Sequence, residues 1–324
     1  MLYLLYRSIL LTLMRTTILV GGQAVIEGVM MRVPGAYATA VRKSDGTIAI
    51  DYHQFHSKVT QNSFCSLPII RGMIHLYESM KIGYQTLQWS ADIAEPDKKN
   101  NQIIEGILSF ISIIFSLGLF IGIPIIAADF LQGYITDKNS FIFNIISGSV
   151  RIFIFLTYLI LISFIKDIKR LFQFHGAEHK TVYNFESGQK LTVHSAQKFA
   201  KEHPRCGTSF IFIVMLVSII SYSIIDTCLI MSGVDLTVIK RLFIHIPCLP
   251  FVAGCSYEVL KITAKFQKYY IFRLLAFPGL MLQKITTQNP NKEQLEVAID
   301  ALKHAFGNDL EKYEGQQFNA EAVG

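Results

Sequence analysis

Residues 103–128, 141–165, 209–231 and 242–260 are four long apolar stretches, and they limit the folds open to this chain more than any other feature. A helix crosses the hydrocarbon of a bilayer with roughly 20 apolar residues. The first three stretches meet that length outright. The second, FIFNIISGSVRIFIFLTYLILISFI, carries Arg151 as its only charge. The fourth, LFIHIPCLPFVAGCSYEVL, contains His245, Pro247, Pro250 and Gly254, and is expected to kink or to lie buried among the others. Charged residues make up 17% of the chain, against about 25% in a soluble domain. The expected fold class is therefore an α-helical polytopic membrane protein of about four transmembrane helices, with a small N-terminal α+β cytoplasmic region.

The formal net charge is +6, but its basic residues are scattered rather than run together. That pattern reads as membrane orientation and argues against nucleic-acid binding. Lys166, Lys169, Arg170, Lys180, Lys190 and Lys201 fall between the second and third stretches, whereas the connection between the first and second has only Lys138. By the positive-inside rule both termini and residues 166–208 lie on the cytoplasmic or stromal side. The bilayer is the one partner this implies; self-association into a homo-oligomer is left open. The five cysteines, Cys65, Cys206, Cys228, Cys248 and Cys255, are odd in number and widely spaced, as in a reducing compartment.

Along the chain, residues 1–20 are an apolar extension interrupted by Arg7 and Arg15, read as a membrane-surface helix or an over-extended start rather than a signal peptide. Residues 21–102 form an α+β and interfacial region. In it, AYATAVRKSDGTIAIDYHQF alternates about Asp45-Gly46 as a β-hairpin would, and GGQAVIEGVMMRVPG reads as a strand and a turn. Residues 71–90, with Trp89, have the period of an interfacial helix, and 95–102 are a linker. Helices 1 and 2 occupy 103–165, a cytoplasmic motif segment 166–208, and helices 3 and 4 209–260. A C-terminal cytoplasmic helical region fills 261–324. There Asn291 is expected as an N-cap, with Leu295, Ile299 and Leu302 as a buried stripe.

Chemistry concentrates in the motif segment. FHGAEHK holds His175, Glu178 and His179 in the order H-x-x-E-H. Positions i and i+4 of a helix share a face, so both histidines can point at one metal ion with Glu178 beside them as general base. Two solvated histidines beside a membrane are the other reading. In HPRCGTSF, His203 and Cys206 are spaced so that a turn at Pro204 aims both at one point, as the second half of a split metal site or as a cap on the third span. Glu258, at the inner end of the fourth span, is a candidate further ligand or a partner for Lys261. In GGQAVIEGVMMR, Glu27 and Arg32 are read either as a catalytic acid and an anion clamp in a polar pocket or as an ion pair at a tight turn. Arg71 beside Gly72 is a similar candidate for substrate binding. The cofactor these ligand types suit is a divalent metal, zinc first. Asp226 and His245, inside the spans, are read as packed polar residues rather than a proton relay.

GGQAVIEGVMMR, HGAEHK, HPRCGTSF and PGLMLQKITTQNPNKEQLEVAIDAL together resemble the YqhQ family of bacterial membrane proteins. The resemblance covers about residues 20–310 and leaves out the leading MLYLLYRSILLTLMR. The family is of unknown function and is described as predicted metal-dependent enzymes. What it implies falls on His175, Glu178, His179, His203 and Cys206. An enzyme of hydrolase type is thus set against a non-catalytic scaffold, assembly factor or carrier, with the substrate open. The abundance of Ile, Lys and Asn suits an AT-rich genome, so the expected location is a bacterial plasma membrane or a plastid membrane.

Overall fold

The computed structural model describes residues 20–96, 102–134, 140–203, 206–266 and 269–318. Residues 1–19 of the N-terminal apolar extension and the Pro204 turn lie outside the described residues.

The chain opens with four short strands, β1 (Gly21–Val25), β2 (Gly28–Val33), β3 (Ala36–Arg42) and β4 (Ile48–Gln54), in one antiparallel meander of order β1-β2-β3-β4. The hairpin expected about Asp45-Gly46 is β3–β4. Gly46 sits at φ 86°, and the Asp45 carboxylate accepts from Thr47 N at 2.8 Å, as short turn residues do. GGQAVIEGVMMRVPG is two strands rather than one. The chain reverses at Ile26-Glu27, with Glu27 in the left-handed region at φ 52°. The reversal was hidden because glutamate seldom marks such a turn.

The sheet is covered on both faces. Val29, Met31 and Val33 of β2 alternate with Met30 and Arg32, and Ala36, Ala38 and Ala40 of β3 line the same face as the valines. Those small side chains let helix α9 (Lys292–Phe306) approach closely through Leu295, Ala298, Ala301, Leu302 and Ala305. The expected stripe of Leu295, Ile299 and Leu302 is buried, each leucine contributing about 2 kcal/mol. Asn291 closes a reciprocal capping box with Gln294. Helix α1 (Ile70–Ala94) covers the opposite face, where Ile82 packs with Met30 and Tyr37.

Four helical units are long and apolar enough to cross a membrane: Gly106–Gln132, Ser140–Ser163, Phe210–Met231 and Val238–Thr263. The first comprises α2 (Gln102–Leu117) and α3 (Ile123–Gln132), joined by a π-helical turn at Gly118–Gly122. Arg151 on α4 (Ser140–Ser163) donates to Phe120 O of that turn at 2.9 Å and to Ser218 Oγ at 3.1 Å. The third is α6 (Gly207–Met231), and the fourth is α7 (Val238–Lys265), which runs as one helix through both prolines. Asp226 and His245 are packed together. Asp226 is fully buried and accepts from Asn144 Nδ2 at 3.0 Å and His245 Nε2 at 2.9 Å, and it pairs with Arg241. The network joins α4, α6 and α7. Away from it, the helices turn large apolar side chains outward, Phe153 and Ile220 among them.

Between α4 and α6 lies α5 (Lys166–Glu186), which packs on β1 and α9, and after α7 comes α8 (Tyr270–Thr286), which packs on α6 and α4. One apolar core therefore draws on the N-terminal strands, α5 and the C-terminal α9.

Candidate metal centre

From Phe174 onward α5 is buried on nearly every side, although its sequence there is polar. A buried polar group must be hydrogen-bonded. The segment after the helix supplies the acceptors by wrapping round it. Asn184 donates to Lys190 O at 3.0 Å, Lys180 Nζ donates to Gln197 O at 3.1 Å and to Phe199 O, and His179 Nδ1 donates to Lys201 O. Burial pushes the Lys180 amine below its usual value.

FHGAEHK lies on this helix, and the rings of His175 and His179 are 4.5 Å apart. Cys206, the N-cap of α6, brings its Sγ to 3.2 Å from His175 Nε2. One ligand atom from each of His175, His179 and Cys206 lies within 4.8 Å of the other two. His175 Nδ1 is 2.8 Å from Thr286 O at the end of α8. A carbonyl oxygen only accepts, so Nδ1 carries a proton in both histidines, and Nε2 is the ring nitrogen left for a metal ion. Burial drives the pKa of His179 below its usual value and that of His203 down to about 4, so both rings are neutral at pH 7.

These groups line a cavity of about 160 Å³ together with Glu178, His203, Val20, Gly21, Gly22, Val182 and Gly207. Glu178 Oε2 lies 3.3 Å from His179 Nε2. The His203 backbone is clamped at two points by the Gln283 side chain, at 2.7 and 2.8 Å, and its Nε2 faces Glu186 at 3.5 Å. The donor set fits a borderline-soft divalent ion. Zinc bonds of roughly 2.0–2.3 Å place tetrahedral ligands about 3.5 Å apart, so the widest of the three separations would close by up to about 1.3 Å around an ion. Carbonyl-pinned Nδ1 atoms are also the usual outer support of metal-binding histidines.

The structure thus brings His175, Glu178, His179, His203 and Cys206 together, and four other sequence candidates do not line this cavity. Glu258 and Arg71 pair with each other through both carboxylate oxygens, with Arg71 Nε at 2.7 Å. Their meeting follows from a close helix crossing: a Cβ on Gly72 would fall 2.9 Å from Gly254 O. Glu258 thus stands outside this cavity, with Arg71 as its partner and Lys261 as a further positive charge acting on it. Glu27 pairs with Arg170 of α5, not with Arg32, and fastens the β1–β2 turn to the motif helix. Arg32 lies over the Phe55 ring at 4.4 Å, and burial lowers its pKa while Glu78 pulls it back up. Glu27 thus ties the β1–β2 turn to α5, whereas Arg32 sits over Phe55 within the field of Glu78 and Tyr257.

Sequence reasoning missed Gly22, Gly176, Gln283 and Thr286. A Cβ on Gly22 would meet Met30 O at 2.4 Å and Glu178 Cγ at 2.8 Å, so β1 forms the cavity wall only because this residue is glycine. The glycine-rich GGQ was the available signal. Thr286 acts through its carbonyl, which no residue type announces.

A family model described as protein of unknown function (DUF1385) matches residues 67–308. The chain is 31% identical over 298 residues to the uncharacterized protein YqhQ of Bacillus subtilis (strain 168), covering 87% of this chain and 90% of that protein. No solved structure matches it.

Proposed function

This chain belongs to the DUF1385 family, whose function is unknown, and from that premise we propose that it is a membrane-embedded, metal-dependent enzyme of hydrolase type. The observation that carries the reading is the convergence of two carbonyl-pinned histidines on one cysteine inside a cavity that also holds a carboxylate. His175, His179 and Cys206 would hold the metal, zinc first. Three protein ligands leave a coordination position for water or substrate. When bound, such an ion supplies Lewis-acid activation of water or a carbonyl. Glu178 stands within the same cavity to take the proton, and His203, held by Gln283, lines the wall beside it. The distribution of Lys and Arg supports a cytoplasmic or stromal site, with both termini on that side.

Elemental analysis of detergent-purified protein, prepared without chelators, tests this reading. We expect about one equivalent of metal in the wild type, as a single three-ligand site requires. That metal should be lost in His175→Ala/His179→Ala and retained in Glu258→Gln. A folded wild-type protein without metal, or a double variant that keeps its metal, overturns the proposal.

A second reading is favoured by one feature: the cluster ties α5 to the start of α6 and, through Thr286, to the end of α8. A fourth protein ligand, Glu178 or His203, would make it a closed structural clip in a non-catalytic scaffold. Cobalt substitution separates the two. A visible spectrum that shifts on adding azide marks an open position; one that does not shift marks the clip.

A further inference from the structure

Helix α8 has two unlike faces. Ala276, Gly279, Leu282, Gln283 and Thr286 are buried, and the helix packs along α6 and touches α4. Its outward face carries Tyr270, Leu274, Phe277 and Met281, which are 78, 57, 52 and 36% exposed. Their spacing of i, i+4, i+7 and i+11 makes one continuous apolar stripe. Arg273 and Lys284, both exposed, fall together along one edge of it. Sequence reasoning assigned this stretch to the aqueous C-terminal region, where such a stripe would be an uncovered apolar patch.

We infer that the outward stripe of α8 is a further bilayer contact, seated at the boundary between headgroups and acyl chains, with Arg273 and Lys284 on the phosphates of anionic lipids. Three observations carry this. The C-terminal end of α8 is fixed at the base of α6, where Gln283 clamps His203, so the helix is held at the membrane end of a candidate span and packs against it. The two helices that α8 packs on, α6 and α4, also expose large apolar side chains, Ile211, Ile220 and Phe153 among them, so the stripe belongs to a part of the molecule already suited to lipid. An apolar stripe bordered by basic residues is also the pattern of helices that lie in an anionic interface. The consequence concerns the cluster: through Thr286 O on His175 and Gln283 on His203, one wall of the cavity is mounted on a membrane-seated helix.

The test uses full-length protein in nanodiscs of phosphatidylglycerol and phosphatidylcholine, with p-benzoylphenylalanine replacing Phe277, Tyr270 or, as a control on β4, Tyr52. Thermal unfolding checks that each variant is folded. Illumination should yield lipid adducts at 277 and 270, enriched in phosphatidylglycerol, and none at 52. Lys284→Gln should cut that enrichment roughly fivefold, the effect of one basic residue at an anionic surface. Adducts to a second copy of the chain would show that the stripe is a dimer face and overturn the inference, as would an absence of adducts at 270 and 277. No outcome depends on whether a metal binds, so this inference and the proposed function fail separately.

Discussion

Asp226→Ala is expected to destabilise the helical bundle by about 3–5 kcal/mol, the cost of removing one partner from a buried ion pair. The carboxylate is fully buried and serves three elements at once, accepting from Asn144 on α4 and from Arg241 and His245 on α7. Its loss leaves the Arg241 guanidinium over the Phe143 ring at 3.6 Å without its main counter-charge, and leaves two buried donors unmet. Arg241 has Asp129 as a second electrostatic neighbour, but that carboxylate is exposed. Unfolding of detergent-solubilised protein by increasing SDS measures the loss. The triple change Asp226→Leu/Arg241→Met/His245→Leu should recover most of the stability, because replacing a whole buried charge cluster with apolar side chains is often neutral. A loss under about 1 kcal/mol in the single variant would mean that the ion pair behaves as a solvated one.

Gly176→Ala is expected to cost about 3 kcal/mol, the upper end of what overpacking does, and to open the cluster as well. A Cβ at this position would stand 2.0 Å from Gln288 O and 3.2 Å from its carbonyl carbon. Backbone cannot move aside as the tip of a flexible side chain can. The 286–288 segment would have to retreat from α5 and take with it the Thr286 carbonyl that orients His175. Thermal unfolding and metal content, read on the same preparation, should therefore fall together. Gly207→Ala is the matched control: it lies beside the same cavity, but its added Cβ meets nothing within 4 Å, so both readings should stay near wild type. A Gly176→Ala protein with wild-type stability would show that α5 and the 286–288 segment are not packed as described.

Much of the molecule was legible in the residues alone, and the legible parts are those governed by short-range rules. A membrane-length apolar run must satisfy its backbone groups internally, so four such runs become four helices whatever surrounds them. The i, i+4 spacing of His175 and His179 places both on one helical face before any tertiary contact forms. The Asn291 cap, the stripe at Leu295, Ile299 and Leu302, and the Asp45-Gly46 hairpin follow from neighbours a few residues apart. Where a local signal misled, the structure shows why. Glu27 made a left-handed turn without the glycine or asparagine that usually marks one. Glu258 shared a membrane side with the histidines in the sequence reading, but the close approach of Gly72 and Gly254 delivered it to Arg71.

By itself, then, the sequence determined the spans, the motif helix and the chemical types available for a site. Only the tertiary structure decided which of them meet. His175 finds Cys206 across 31 residues and Thr286 across 111, and Glu27 finds Arg170 across 143. Such pairings depend on how the strands, α5 and the C-terminal α9 close over one core and on where α8 rests against the spans. Hydropathy and periodicity describe the surface an element presents, not the partner that will cover it. The site exists because several surfaces chose one another, and that choice is made by packing over the whole chain.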